Sequence, residues 1–139
     1  MQTCAKYPTR RRKKATWVVA LCEALLADAG IVGKGTWKKL VIVGVAGQGL
    51  NRMFGYRFDM HDDWEAVSPD EGQPQDVLKR LQQAMLEKSP TGRAWVACLI
   101  RIGNDGRYGV DFEYEDAQRW AVTPRNLEQR IAEFAAMPV

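Results

Sequence analysis

Between residues 15 and 29 the apolar positions recur at helical spacing. Trp17, Leu21, Ala24 and Leu25 form a stripe that runs on to Asp28, and Gly30 offers a C-terminal stop. The period then falls to two. Lys39, Val41, Val43 and Val45 alternate with Lys38, Leu40, Ile42 and Gly44 in a stretch from Trp37 to Val45. Its centre is apolar on both faces, which predicts a strand inside a sheet. Gly47-Gln48-Gly49 predicts a turn. From Leu50 to Asp59, Met53, Gly55, Arg57 and Asp59 alternate with Phe54, Tyr56 and Phe58, giving an antiparallel hairpin.

Residues 60 to 73 are acidic and rich in turn formers, ending in Pro69-Asp70-Glu71-Gly72. Pro74 suits the first turn of a helix, and Asp76 favours that helix's positive end. Val77, Leu78, Leu81, Ala84 and Met85 make its apolar stripe, and Ser89-Pro90 ends it. A second hairpin follows from Trp95 to Tyr114, turning at Asn104-Asp105-Gly106. Thr123-Pro124 reads as the start of a last helix that turns Leu127, Ile131 and Phe134 inward. The predicted order is α-β-β-α-β-β-α. This is an α+β fold, an antiparallel sheet of about four strands from two hairpins with helices packed on one face.

Charge changes the picture. The net charge of the 139 residues is +3, but Lys6, Arg10, Arg11, Arg12, Lys13 and Lys14 all lie in the first 14 residues, which hold no acid. Removing those six cations from +3 leaves the remainder at −3. The chain thus reads as a basic arm, residues 1–14, ahead of one mildly acidic domain, residues 15–139. Seven acids fall between Asp59 and Asp76 and four between Asp111 and Asp116, so the acidity is concentrated in two places.

The basic start, the apolar run from Trp17 to Ala27 and Ala27-Asp28-Ala29 together mimic an export signal. Glu23 interrupts that run and its apolar residues keep helical spacing, so a core helix is the expectation. The run is too short to span a bilayer. Cys4, Cys22 and Cys98 form no C-x-x-C and are odd in number, which points to a reducing, cytoplasmic setting. Cys22 and Cys98 stand in apolar runs as core thiols.

Catalytic chemistry finds little to build on. His61 is the single histidine, set among Asp59, Asp62 and Asp63 in a spacing that matches no common metal site. Gly44 to Gly49 is glycine-rich but lacks the Gly-Lys-Ser/Thr of a phosphate loop. Neither a cofactor nor a metal is expected. The second strand of the last hairpin is more informative. Alternation sets Tyr108, Val110, Phe112 and Tyr114 on one side and Asp111, Glu113 and Glu115 on the other. The aromatic side reads as core. The acidic side is a solvated outer face, a surface for a basic partner or, least favoured, a pair of catalytic carboxylates. The arm from Arg10 to Lys14 is a solvated terminus, the first turn of the first helix or a phosphate contact, the last giving a nucleic-acid-binding regulator as the alternative function.

With those residues laid out, the C-terminal half resembles the YezG-like family of bacterial immunity proteins. The resemblance rests on Trp95, Asp105-Gly106, the run from Tyr108 to Asp116 and Arg119-Trp120, with Trp37 to Leu40 ahead of an earlier strand. It covers residues 37 to 137 loosely; the basic arm is foreign to it, and residues 47 to 71 align poorly. It implies a non-enzymatic inhibitor of a toxin delivered by a neighbouring cell, as in contact-dependent growth inhibition. Such toxins are often nucleases acting on tRNA or DNA. The implied partner is the nuclease domain, bound 1:1, with no membrane and no direct nucleic-acid contact. An acidic surface would fill a basic groove and speed encounter. The candidate toxin-binding residues are Asp59, Asp62, Asp63, Trp64, Glu65, Asp70 and Glu71 in the loop, and Asp111, Glu113, Glu115 and Asp116 on the last strand. On this reading, reversing Glu113 and Asp63 together slows association.

Overall fold

The computed structural model describes residues 14–47 and 50–139. Helix α1 (Lys14–Leu26) and the single turn α2 (Ala29–Val32) lead into strands β1 (Lys39–Gly47), β2 (Leu50–Phe58) and β3 (Trp64–Val67). Helix α3 (Gln73–Glu87) connects to β4 (Ala97–Gly103) and β5 (Tyr108–Glu113), and α4 (Leu127–Ala136) closes the chain. The strands form one antiparallel five-stranded sheet in the order β3-β2-β1-β4-β5.

β1 is the middle strand, as its doubly apolar centre requires. Leu40 and Ile42 face one way, with Met53, Cys98, Ile100 and Ile102, against Val18, Leu21 and Leu25 of α1 and Leu78 and Leu81 of α3. Val41 and Val43 face the other way, with Tyr56, Phe58 and Leu99, against Trp120, Ile131 and Phe134. The expectation of helices on one face is therefore corrected. A central strand apolar on both sides needs two roofs, and α4 with the segment before it supplies the second. Each fully buried large side chain contributes about 2 kcal/mol, which both roofs share.

The fifth strand is a second correction. β3 lies in the stretch read as acidic turn, and only Val67 of its four residues is buried. With one buried residue it has no alternation to read. It forms because its backbone can pair with Gly55–Phe58 along the edge of β2. β2 can lie close to β1 there because residue 55 is glycine; a Cβ would strike the Val41 carbonyl and Ile42.

Two buried charges pin the layers together, and both revise element boundaries. α1 ends at Leu26, and Asp28 does not extend its stripe. Instead Asp28 is the N-cap of α2, which Gly33 ends at φ 65°. Its carboxylate accepts the N–H groups of Gly30 (2.9 Å), Asp70 (2.9 Å) and Glu71 (3.0 Å). Gly30, read as a stop, lies inside α2, where a Cβ would strike the Ser68 carbonyl. Lys39 is the other buried charge, 4 % exposed. Its ammonium donates to the carbonyls of Phe134 (2.8 Å), Ala135 (2.7 Å) and Met137 (2.8 Å) at the C-terminal end of α4. α4 itself begins at Leu127, later than Thr123-Pro124 suggests, because Thr123 and Asn126 first close a turn. The Thr123 N–H donates to Asn126 Oδ1 at 2.7 Å and the Asn126 N–H donates to Thr123 Oγ1 at 3.3 Å.

Burial acts to raise the Asp28 pKa, but the N–H bonds from Asp70, Glu71, Gly30 and Ile31 outweigh it and hold the carboxyl below its ordinary value. The unfolded chain then takes up the proton first as pH falls. The contribution of Asp28 is full above the ordinary aspartate pKa and is lost as pH drops through the folded value. Asp28→Ala is expected to cost about 3 kcal/mol, since buried N–H groups lose a charged acceptor; urea unfolding measures it. Asp28→Asn should flatten the acid limb of the stability–pH curve relative to the wild type. Lys39→Met should cost about 2 kcal/mol by orphaning the α4 carbonyls and should speed amide exchange in α4. An unchanged unfolding midpoint would show that desolvating the lysine cancels its bonds.

Candidate functional site

The loop from Asp59 to Glu65 is built by its own carboxylates. Asp59 Oδ1 accepts the N–H of His61 (2.8 Å) and of Asp63 (3.0 Å), and the Asp59 N–H donates to the Asp63 carbonyl at 2.9 Å. This folds the chain tightly enough that Asp62 takes φ 64°, a conformation aspartate tolerates better than most residues. Asp62 Oδ1 sits 2.5 Å from the Lys38 ammonium, and the hydrogen bond from Lys38 holds its pKa below the ordinary range. Glu65 pairs with Arg57 at 3.0 Å, and Arg57 also donates to the Ile31 carbonyl at 2.8 Å. Trp64 stands edge-on to Tyr56, with ring centroids 5.6 Å apart at 78°.

What this corner leaves open is apolar as well as acidic. Met60 is 61 % exposed and Trp64 42 %, the two most exposed large apolar residues between α1 and α3 among the described residues. Asp63 is exposed and has no ion pair among the described residues. Asp70 and Glu71 are exposed too, but they lie past the end of β3, where their N–H groups are held by Asp28.

The acids of the last hairpin are not a free stripe. Asp111 pairs with Arg101 at 3.2 Å, a guanidinium only 16 % exposed. Glu113 Oε1 pairs with Arg119 at 2.9 Å, while Oε2 accepts the N–H groups of Glu115 and Asp116, both at 3.0 Å. The backbone bonds from Asp116 and Glu115, then Arg119, hold the Glu113 pKa below its ordinary value. β5 ends at Glu113, so Glu115 belongs to the turn and not to the strand face. Asp116 Oδ1 in turn accepts the Gln118 N–H at 2.9 Å. On the opposite face, Val110 and Phe112 pack on the core, with Phe112 5.4 Å from the Trp95 ring. Tyr108 and Tyr114, read as core, are 45 % and 39 % exposed because they stand at and beyond the strand's ends.

The two acidic groups also do not meet. β3 and β5 are opposite edges of the sheet. Trp64 is level with Lys39 of β1, whereas Glu113 is level with Val45. Strand spacing and rise per residue put the corners roughly 28 Å apart. The arginines that neutralise the β5 acids were present in the sequence. Arg101 stands on the facing strand one step diagonally from Asp111, opposite Gly109, and diagonal pairs of this kind are within reach.

His61 is exposed, and no group of three or more His, Cys, Asp and Glu that could hold a metal occurs among the described residues. Cys22 and Cys98 are buried free thiols, and burial pushes both up to about 12, too high for a thiolate nucleophile. Arg10 to Lys13 of the basic arm lie outside the described residues; Lys14 opens α1. No helix among the described residues is long and apolar enough to cross a membrane. No family model matches this chain, and no curated protein matches it.

Glu113→Ala is expected to release the turn after β5. Amide exchange at Glu115 and Asp116 should accelerate by about tenfold, while exchange in β1 stays unchanged.

Proposed function

We propose that this protein is an immunity protein that binds and neutralises a basic toxin domain, a nuclease, through the corner at the start of β3. The carrying observation is the exposure of Met60 and Trp64 among Asp59, Asp62, Asp63 and Glu65. Aromatic and methionine side chains are favoured at the centres of protein interfaces, with charge around them. Trp64 is held by Tyr56 before any partner arrives, so little side-chain entropy is lost on docking. The loop is fixed by Asp59 in the same sense. The resemblance to YezG-like immunity proteins supplies the biological setting, and a nuclease's phosphate-binding groove supplies the complementary charge.

The β5 acids enter this reading differently. Asp111 and Glu113 are committed to Arg101, Arg119 and the turn backbone. Reversing Glu113 would disturb the fold, so Asp63 carries the electrostatic test, with Glu115 reporting on the opposite corner.

The partner to test is the domain encoded immediately upstream, expressed alone for toxicity and then mixed with this protein. Trp64→Ala should weaken the complex by about 2 kcal/mol. Asp63→Lys should slow association severalfold, more at low salt than at high, and Glu115→Lys should leave the rate unchanged. A non-toxic upstream domain, or a toxic one that this protein neither binds nor silences, would overturn the proposal. Rates altered by Glu115→Lys and not by Asp63→Lys would move the interface to the β5 corner.

A further inference from the structure

The outer edge of β2 is only half covered. β2 runs nine residues and β3 only four, pairing with Gly55 to Phe58. The Asp59 N–H points outward to Asp63. Backbone groups of an antiparallel strand alternate sides, so Arg57, Gly55, Met53 and Asn51 point outward with it. The other side of β1 agrees in phase, since the Ala46 N–H reaches Val96. Arg57 and Gly55 meet Glu65 and Val67 of β3. Beyond Val67 the chain turns off the sheet, where Asp28 holds residues 70 and 71. Met53 and Asn51 therefore each present an N–H and a carbonyl with no strand beside them among the described residues.

Beside this open stretch lies a cleft of about 220 Å³ on the sheet face that α4 covers elsewhere. Val45, Phe54 and Tyr56 floor it, and Ala121 and Val122 wall it. Arg52 stands at its rim, exposed and without an ion pair among the described residues. Arg52 and Phe54 are two apart on β2 and so share that face.

We propose that β2 accepts an extended segment of a protein partner as an added strand alongside Asn51 to Phe54. The segment carries a bulky apolar side chain beside Phe54, entering the cleft, and an acidic side chain two residues later beside Arg52. Main-chain bonds to Met53 and Asn51 supply affinity, and the alternate side chains supply selectivity. The charge required is opposite to that of the partner at the Asp59–Glu65 corner, so this inference does not rest on the toxin reading.

The probe is a short blocked peptide, Leu-Thr-Glu-Thr-Val, which starts beside Phe54 and so runs away from the edge that β3 occupies, titrated into the full chain while amide exchange is followed. Exchange at Met53 and Asn51 should slow by about tenfold at saturation. Arg52→Glu should weaken binding by about threefold, and exchanging the peptide's Glu for Lys should restore it. Asn51→Pro removes one outward donor at an edge position where proline is tolerated and should weaken binding by about fivefold. Circular dichroism and the exchange pattern of β1 establish that each variant is folded. Three results would overturn the proposal: no protection at Met53 and Asn51, protection that grows with protein concentration without peptide, or protection already present that vanishes when residues 1–13 are deleted. The second would make a second copy the occupant, and the third the basic arm. Peptide binding indifferent to both Arg52→Glu and Asn51→Pro would overturn it as well.

Discussion

Strand β1 is buried on both faces, and the rest of the molecule follows from that constraint. Leu40, Val41, Ile42 and Val43 are all essentially inaccessible to solvent. A strand of this kind cannot lie at an edge or beneath a single layer. It needs a strand on each side and a roof over each face. β2 and β4 are the flanking strands; α1 with α3, and α4 with Trp120, are the roofs. One roof joins α1 to α3 from the middle of the chain and the other comes from α4, so the fold is complete only when the C-terminal segment has closed over the second face.

Lys39 and Asp28 show how that closure is made specific. Apolar contact alone would let α4 slide over Val41 and Phe58, because burial has no preferred direction. Three carbonyls converging on one ammonium do have a direction, and they set where α4 ends. Asp28 does the same on the other face, tying α2 to the chain leaving β3. Each buried charge is satisfied by three backbone groups, the condition under which such burial is tolerated.

Those two residues also mark where sequence reading stops. The hairpins were legible because alternation and the Asp-Gly turn are local signals, and the register confirms Phe54, Tyr56 and Phe58 on one face with Met53 on the other. The α3 stripe was legible for the same reason, with Leu78 and Leu81 fully buried. Asp28 falls at helical spacing from Leu21 and Leu25, so periodicity alone extends α1 through it; only residues 70 and 71, far along the chain, reveal it as a buried tie between segments. β3 was illegible because three of its four residues are exposed. The acidic stripe was legible as composition but not as chemistry. Its partners Arg101 and Arg119 lie on a different strand and beyond the turn, so its neutralisation is a tertiary fact.

The sheet's two edges are protected unequally, and the difference has one cause. β5 runs its full length beside β4, carries Asp111 and is followed at once by Glu115 and Asp116; inward and flanking charges of this sort discourage a further strand. β3 protects by being short and by presenting Glu65, but its shortness is also what leaves Met53 and Asn51 on β2 without a strand beside them. Had the chain continued past Val67 in the sheet, residues 70 and 71 could not reach Asp28, and α2 would lose its anchor to the loop. The open stretch of β2 is thus the consequence of a buried carboxylate on the other side of the edge. Stability at Asp28 and exposure at Asn51 are two results of the same turn.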